Sequence, residues 1–180
     1  MKLLADKASI QWGAYAGFVA AAASVLLIVY PPATSTPAWD IFYLLTTAVT
    51  GVLFWYGMSR FAEKMKSALL HWAAIMMLLI SIYTDAMGAL FTYWPLTALS
   101  SSGDMTGSVV YGVLLPVGVV LAGVAMLNLR DKLGEIATLY GVLALAEAAI
   151  LFFGYGYTLD AWVNVALFVI GGTILHRASR

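Results

Sequence analysis

Residues 109–153 read VVYGVLLPVGVVLAGVAMLNLRDKLGEIATLYGVLALAEAAILFF. Two long apolar runs flank the charged turn Arg130-Asp131-Lys132-Leu133-Gly134-Glu135. A helix needs about 20 apolar residues to cross a bilayer core of about 30 Å. Both runs reach that length, and the turn between them is too short for anything but a return. This stretch therefore predicts a transmembrane helical hairpin.

Working outward, four more runs of the same kind appear. The spans are expected at 10–30, 41–57, 68–85, 109–129, 136–155 and 161–176. The expected fold is all-α: a polytopic membrane protein of six transmembrane helices arranged as three hairpins, a single domain over residues 1–180. Composition agrees. Apolar residues make up 63% of the chain and charged residues 10%, against about 45–50% and about 25% in soluble domains. A first run of about 20 residues is too long for a signal-peptide core of 7–15, so it is read as a retained span.

Charge orients the spans. The basic residues are Lys2, Lys7, Arg60, Lys64, Lys66, Arg130, Lys132, Arg177 and Arg180. All fall in the N-terminus, the second and fourth connections and the C-terminus. The other connections carry Asp40, Asp104 and Asp160 instead. By the positive-inside rule both termini are expected in the cytoplasm, with the chain integral to the cell membrane. Trp12, Trp55 and Trp72 then fall near cytoplasmic ends, and Trp39, Trp94 and Trp162 near outer ends, the depth that indole prefers. The apolar first half of the third connection, with Phe91, Tyr93 and Trp94, either prolongs span three or lies along the outer interface.

Several functions are excluded. A net charge of zero argues against a nucleic-acid partner. The absence of cysteine removes disulfides, thiolate metal sites, Fe–S clusters and cysteine nucleophiles. No span contains a lysine, which excludes a retinal Schiff base. No motif of a serine hydrolase, zinc protease or phosphate-binding loop occurs. No catalytic residue is named; an enzyme would have to work through Glu147, Asp85 and the tyrosines. His71 and His176 sit at similar inner depth, but no spacing supports a haem or metal, so no cofactor and no metal are assigned.

Ionisable groups inside a membrane are costly and mark functional candidates. Glu147 lies ~18 Å from Glu135 at ~1.5 Å per residue, near midplane. Ala144, Ala146, Ala148 and Ala149 around it let another helix approach. Tyr140 shares its face. Asp85 lies ~28 Å from Lys66, at the outer boundary, with Ser81 on its face. Glu147, Asp85, Tyr140 and Ser81 form the candidate ligand site. Glu147 reads as a binding site for a proton, a cation or a small solute, or as a neutral carboxyl that glues helices together. Asp85 reads as an interfacial, solvated aspartate or as the outer end of a polar path to Glu147.

Weaker signals accompany these. Thr46, Thr47 and Thr50 line span two, where threonine usually bonds its own backbone. Pro116 removes one N–H and frees the carbonyl of Gly112, which kinks span four. Asn164 is read as solvated near the outer end of span six. Gly13, Ala16, Gly17 and Ala20 give span one a small-residue face for close packing, within the chain or against a partner subunit or second copy.

Two functions follow. One is a small membrane protein that binds or transports a small solute, cation or proton around Glu147. The other is a non-catalytic accessory subunit of a larger membrane complex. In size, six-span format and cytoplasmic termini the chain resembles the substrate-binding subunits of energy-coupling-factor transporters. In its three-hairpin format it also resembles the HdeD-like small membrane proteins. Both likenesses are of format and bring no family signature.

Overall fold

A computed structural model of the chain describes residues 2–29, 37–93, 109–153 and 157–180. The described residues form helices α1 (Lys2–Val29), α2 (Pro37–Met65), α3 (Ala68–Tyr93), α4 (Leu115–Asn128), α5 (Glu135–Phe153) and α6 (Tyr157–Ser179). A π-helical turn, Val110–Leu114, leads into α4, and a short helical turn, Arg130–Leu133, follows it. No strand occurs among the described residues. Among the described residues, three segments are long and apolar enough to cross a membrane: Lys7–Leu26, Glu135–Phe153 and Leu159–Ser179. Ala68–Thr84 and Gly112–Asn128 are shorter apolar helices.

The helices run past the apolar stretches. Arg60 to Met65, read from sequence as a connection, forms the last turns of α2. Arg60 and Glu63 sit one turn apart and pair at 2.8 Å, so charge here is compatible with helix. The Tyr56 hydroxyl accepts two bonds from the same guanidinium, and with Glu63 it raises the proton affinity of Arg60 above its usual value. Helix α3 likewise continues to Tyr93, so that part of the third connection prolongs the helix. Trp94 and Asp104 lie outside the described residues, as do the side chains of Trp39, Asp40, Phe91 and Tyr93.

The turns follow local chemistry. Lys66 takes a left-handed conformation (φ 55°). Its N–H bonds to Glu63 O, and the N–H of Ser67 reaches back to Ala62 O, closing α2. Ser67 then caps α3, its hydroxyl accepting from Leu70 N–H at 3.4 Å. Gly134 ends the turn after α4 with φ 72° and ψ −154°, a region open essentially to glycine alone. Gly134→Ala is therefore expected to lower stability by about 1–3 kcal/mol, measured as a fall in the thermal midpoint of the purified protein. An unchanged midpoint would mean that this turn relaxes freely.

Each helix packs on its chain neighbour, and α6 closes back onto α1, so the three hairpins join into a ring. Small residues make this possible. Ala14, Ala62, Ala73, Ala74, Ala125 and Ala137 are fully buried, while Trp12, Trp72, Leu79, Phe152 and Phe153 are more than half exposed on the outer wall. Small residues at the crossings let helix backbones approach closely, as in helices that associate in lipid. The small-residue face of α1 is used within the chain: Gly13 lies against Gly57, Gly17 against Phe54 and Phe168, and Ala16 and Ala20 are buried.

One end of the ring gathers lysines. Lys7 Nζ donates to Arg180 O at 3.3 Å, Lys64 Nζ to Ala178 O at 2.6 Å and Lys132 Nζ to Met65 O at 3.2 Å. Each cation meets carbonyls at or near a helix C-terminus, where the helix dipole favours positive charge. Below the ring's midpoint on this side the core is closed by Ile10, Met58, Phe61, Leu70, Met126 and Leu175, all nearly inaccessible.

Candidate functional site

The ring encloses a cavity of about 180 Å³. It lies in the half of the bundle away from the lysines. Helix α5 contributes Tyr140, Ala144 and Glu147, one face at helical spacing. Helix α6 contributes Asp160, Asn164 and Phe168, again one turn apart. Helix α2 supplies Phe54 and Trp55, α3 supplies Ser81 and Thr84, and α4 supplies Leu115 and Val119. Glu147 is 5% exposed and Tyr140 2%. A carboxyl this deep in an apolar bundle is costly without a partner, yet no basic side chain lines its cavity among the described residues.

Asp160 adds a second carboxyl. It sits in the first turn of α6, where the helix dipole favours negative charge. Its Oδ1 is buried without a hydrogen-bond partner among the described residues. Glu147, Tyr140 and Asp160 line the same cavity. The cavity is thus a low-dielectric space with two acid groups and, among the described residues, no counter-cation.

A second cavity of about 180 Å³ adjoins the first and shares Ser81, Thr84, Asn164 and Phe168 with it. Ser24 on α1 and Thr47, Thr50 and Gly51 on α2 complete its lining. Thr50 donates its hydroxyl proton to Thr46 O at 2.8 Å, and Thr84 donates to Ser81 O at 3.0 Å. With their protons spent on the backbone, these hydroxyls keep only lone pairs for the cavities.

Of the residues singled out from sequence, Glu147, Tyr140 and Ser81 line one cavity. Asp85 belongs to α3, but its side chain lies outside the described residues. Asp160, Asn164, Thr84 and Trp55 were not anticipated. Asn164, expected to be solvated, lines both cavities. Trp55, expected at an interface, is buried against Phe54 with ring centroids 5.1 Å apart. The i, i+4 spacing of Asp160, Asn164 and Phe168 carries the signal for α6, once the helix is known to start before Asp160 rather than after it. Span four departs from expectation too. Its irregularity is a full π-turn in which Leu115 N–H bonds back to Val110 O, just before Pro116. Such turns favour functional sites, and this one delivers Leu115 to the cavity wall.

The histidines are engaged separately. His71 Nδ1 lies 3.1 Å from Ser59 Oγ, and His176 Nε2 lies 2.9 Å from a guanidinium nitrogen of Arg180. No group of three metal-ligating side chains forms among the described residues. In comparisons with known proteins, no family model, no curated protein and no solved structure matches the chain.

Proposed function

We propose that this is a six-span membrane protein that binds a cation, a proton or a small solute inside its helical ring, at a site built around Glu147. The observation that carries this reading is the position of Glu147: buried, facing a cavity and accompanied by a second carboxyl. Helix glue would need only a packed partner. A cavity leaves room for a ligand, and one that neutralises the carboxyls gains most where the dielectric is low. Asp160 and Asn164 line the cavity away from the lysines, while buried side chains fill the lysine end, which favours loading from the Asp160 side. With the basic end in the cytoplasm, that side is external. Passage across the membrane would then require the ring to rearrange; as it stands the arrangement suits capture.

A hydrophobic carbodiimide tests the site directly, because it modifies carboxyls that are accessible from an apolar medium. Glu147 of the folded protein should be modified, as read by mass spectrometry, and saturating cation should slow the modification several-fold. Labelling of Glu147 only after denaturation would show a packed, closed carboxyl and remove the binding reading.

Topology has its own test. The chain contains no cysteine, so single cysteines at Ser35, Ser102 and Thr158 report without background. Each is expected to react with an impermeant thiol reagent in intact cells. Protection of all three until lysis would reverse the proposed orientation.

A further inference from the structure

We propose that the ligand is a small organic ammonium ion. Its N–H groups would sit on Glu147 and Asp160, and its carbon substituents against Phe54, Trp55 and Phe168. This rests on the proposed site at Glu147 and narrows what that site takes.

The first ground is the sign of the charged lining: it holds two carboxyl groups and, among the described residues, no basic side chain. Two carboxyl groups and the hydroxyl oxygens of Ser81 and Thr84 face the ligand space, and the Thr84 proton is already given to a backbone carbonyl. An anion would find the donors of Tyr140, Trp55, Ser81 and Asn164 but, among the described residues, no cation to offset the two carboxyls, whereas an ammonium brings a positive charge and up to three N–H donors to them. The amide of Asn164 offers the same ligand its carbonyl oxygen.

The second ground separates an organic from an inorganic cation. Calcium asks for six to eight oxygen ligands, and magnesium for a near-ideal octahedron. Here no third acid or histidine joins Glu147 and Asp160 among the described residues, and the rest of the wall is largely carbon. Phe54 packs edge-on against Trp55 at 5.1 Å and against Phe168 at 5.0 Å. This gives a three-ring aromatic wall of the kind that attracts organic cations. A bare metal ion would leave that wall unused.

The third ground is size. A cavity of about 180 Å³ corresponds to about six waters at about 30 Å³ each. It fits a monoamine of a few carbons.

The experiment is calorimetric titration of the purified full-length protein in detergent, at fixed ionic strength. The probes are n-butylammonium, its neutral isostere 1-butanol, and sodium, with proton uptake followed by a pH indicator. Saturable binding of one butylammonium per chain is expected, with 1-butanol at least 30-fold weaker. Trp55→Phe should weaken the amine about 3- to 10-fold, and should weaken 1-butanol less. Equal binding of 1-butanol would show a merely apolar cavity and overturn the proposal. Binding of sodium or protons without the amine would also overturn it, while leaving the Glu147 site in place. If no probe binds and no proton is taken up, both the proposal and the site reading fall.

Discussion

Glu147→Gln is expected to leave the fold intact and to weaken cation binding by 100-fold or more. Glutamine matches glutamate in shape and removes only the ability to carry charge. Glu147 is 5% exposed, so its interaction with a bound cation is little screened by solvent. Removing one partner of a buried charge pair costs about 3–5 kcal/mol, and every 1.4 kcal/mol is about tenfold in affinity. A loss of about 100- to 4000-fold follows. Stability should move the other way, if at all, because the variant no longer buries an ionisable group when the cavity is empty. The thermal midpoint is therefore expected within about 3 °C of wild type or above it, about 1 kcal/mol for a chain of this size. Asp160→Asn should act more weakly, about 5- to 10-fold, because Asp160 is half-buried and solvent competes for its charge. The pair of measurements separates binding from glue: a Gln variant that binds the cation as wild type does removes Glu147 from the site.

Glu147 was legible in sequence because it is the one charged residue in an otherwise apolar run, and the ~1.5 Å rise fixes its depth. Tyr140 and Ser81 followed from helical spacing. What depth cannot give is rotation between helices. Trp55 looked interfacial because the apolar run of α2 stops near Gly57. The helix in fact continues to Met65 and sets Trp55 ~15 Å from that end, facing inward. Asp160 looked like a loop residue because the apolar run of span six was read as starting at Ala161. It belongs to the first turn of α6, where the helix dipole tolerates it and turns it toward Asn164 and Phe168. The small face of α1 could equally have met a partner; only the closing contact of α6 on α1 shows where it goes. Ring closure is a long-range property, and nothing in the local pattern of any one helix encodes it.

Gly57→Leu is expected to be the most damaging single change to the fold, and Gly13→Leu its equal. A Cβ built on either glycine meets the Cα of the other at 2.7 Å. The neighbours at the next distances are mostly backbone as well: Leu53 O at 3.1 Å for Gly13, and Ser9 O at 3.2 Å for Gly57. Backbone cannot step aside as a flexible side chain can, so α1 and α2 must separate. Helix α1 has nowhere to go, because its other side is held by α6, where a Cβ on Gly172 would already meet Ala14 O at 3.1 Å. Overpacking of this kind costs about 1–3 kcal/mol, and leucine on a backbone crossing belongs at the upper end. For a chain of this size that is about 5–10 °C in the thermal midpoint. Gly112→Ala is the internal control, since among the described residues nothing lies within 4 Å of its added Cβ, and it should move the midpoint by less than about 1–2 °C. A Gly57→Leu variant as stable as wild type would mean that α1 is not locked between α2 and α6. The consequence reaches the cavity, because α2 carries Phe54 and Trp55 on the turn just before Gly57. Moving α2 by even 1 Å opens the aromatic wall, so cation binding should fail in this variant together with stability. In Glu147→Gln binding fails alone, and that contrast distinguishes loss of the ring from loss of the site within it.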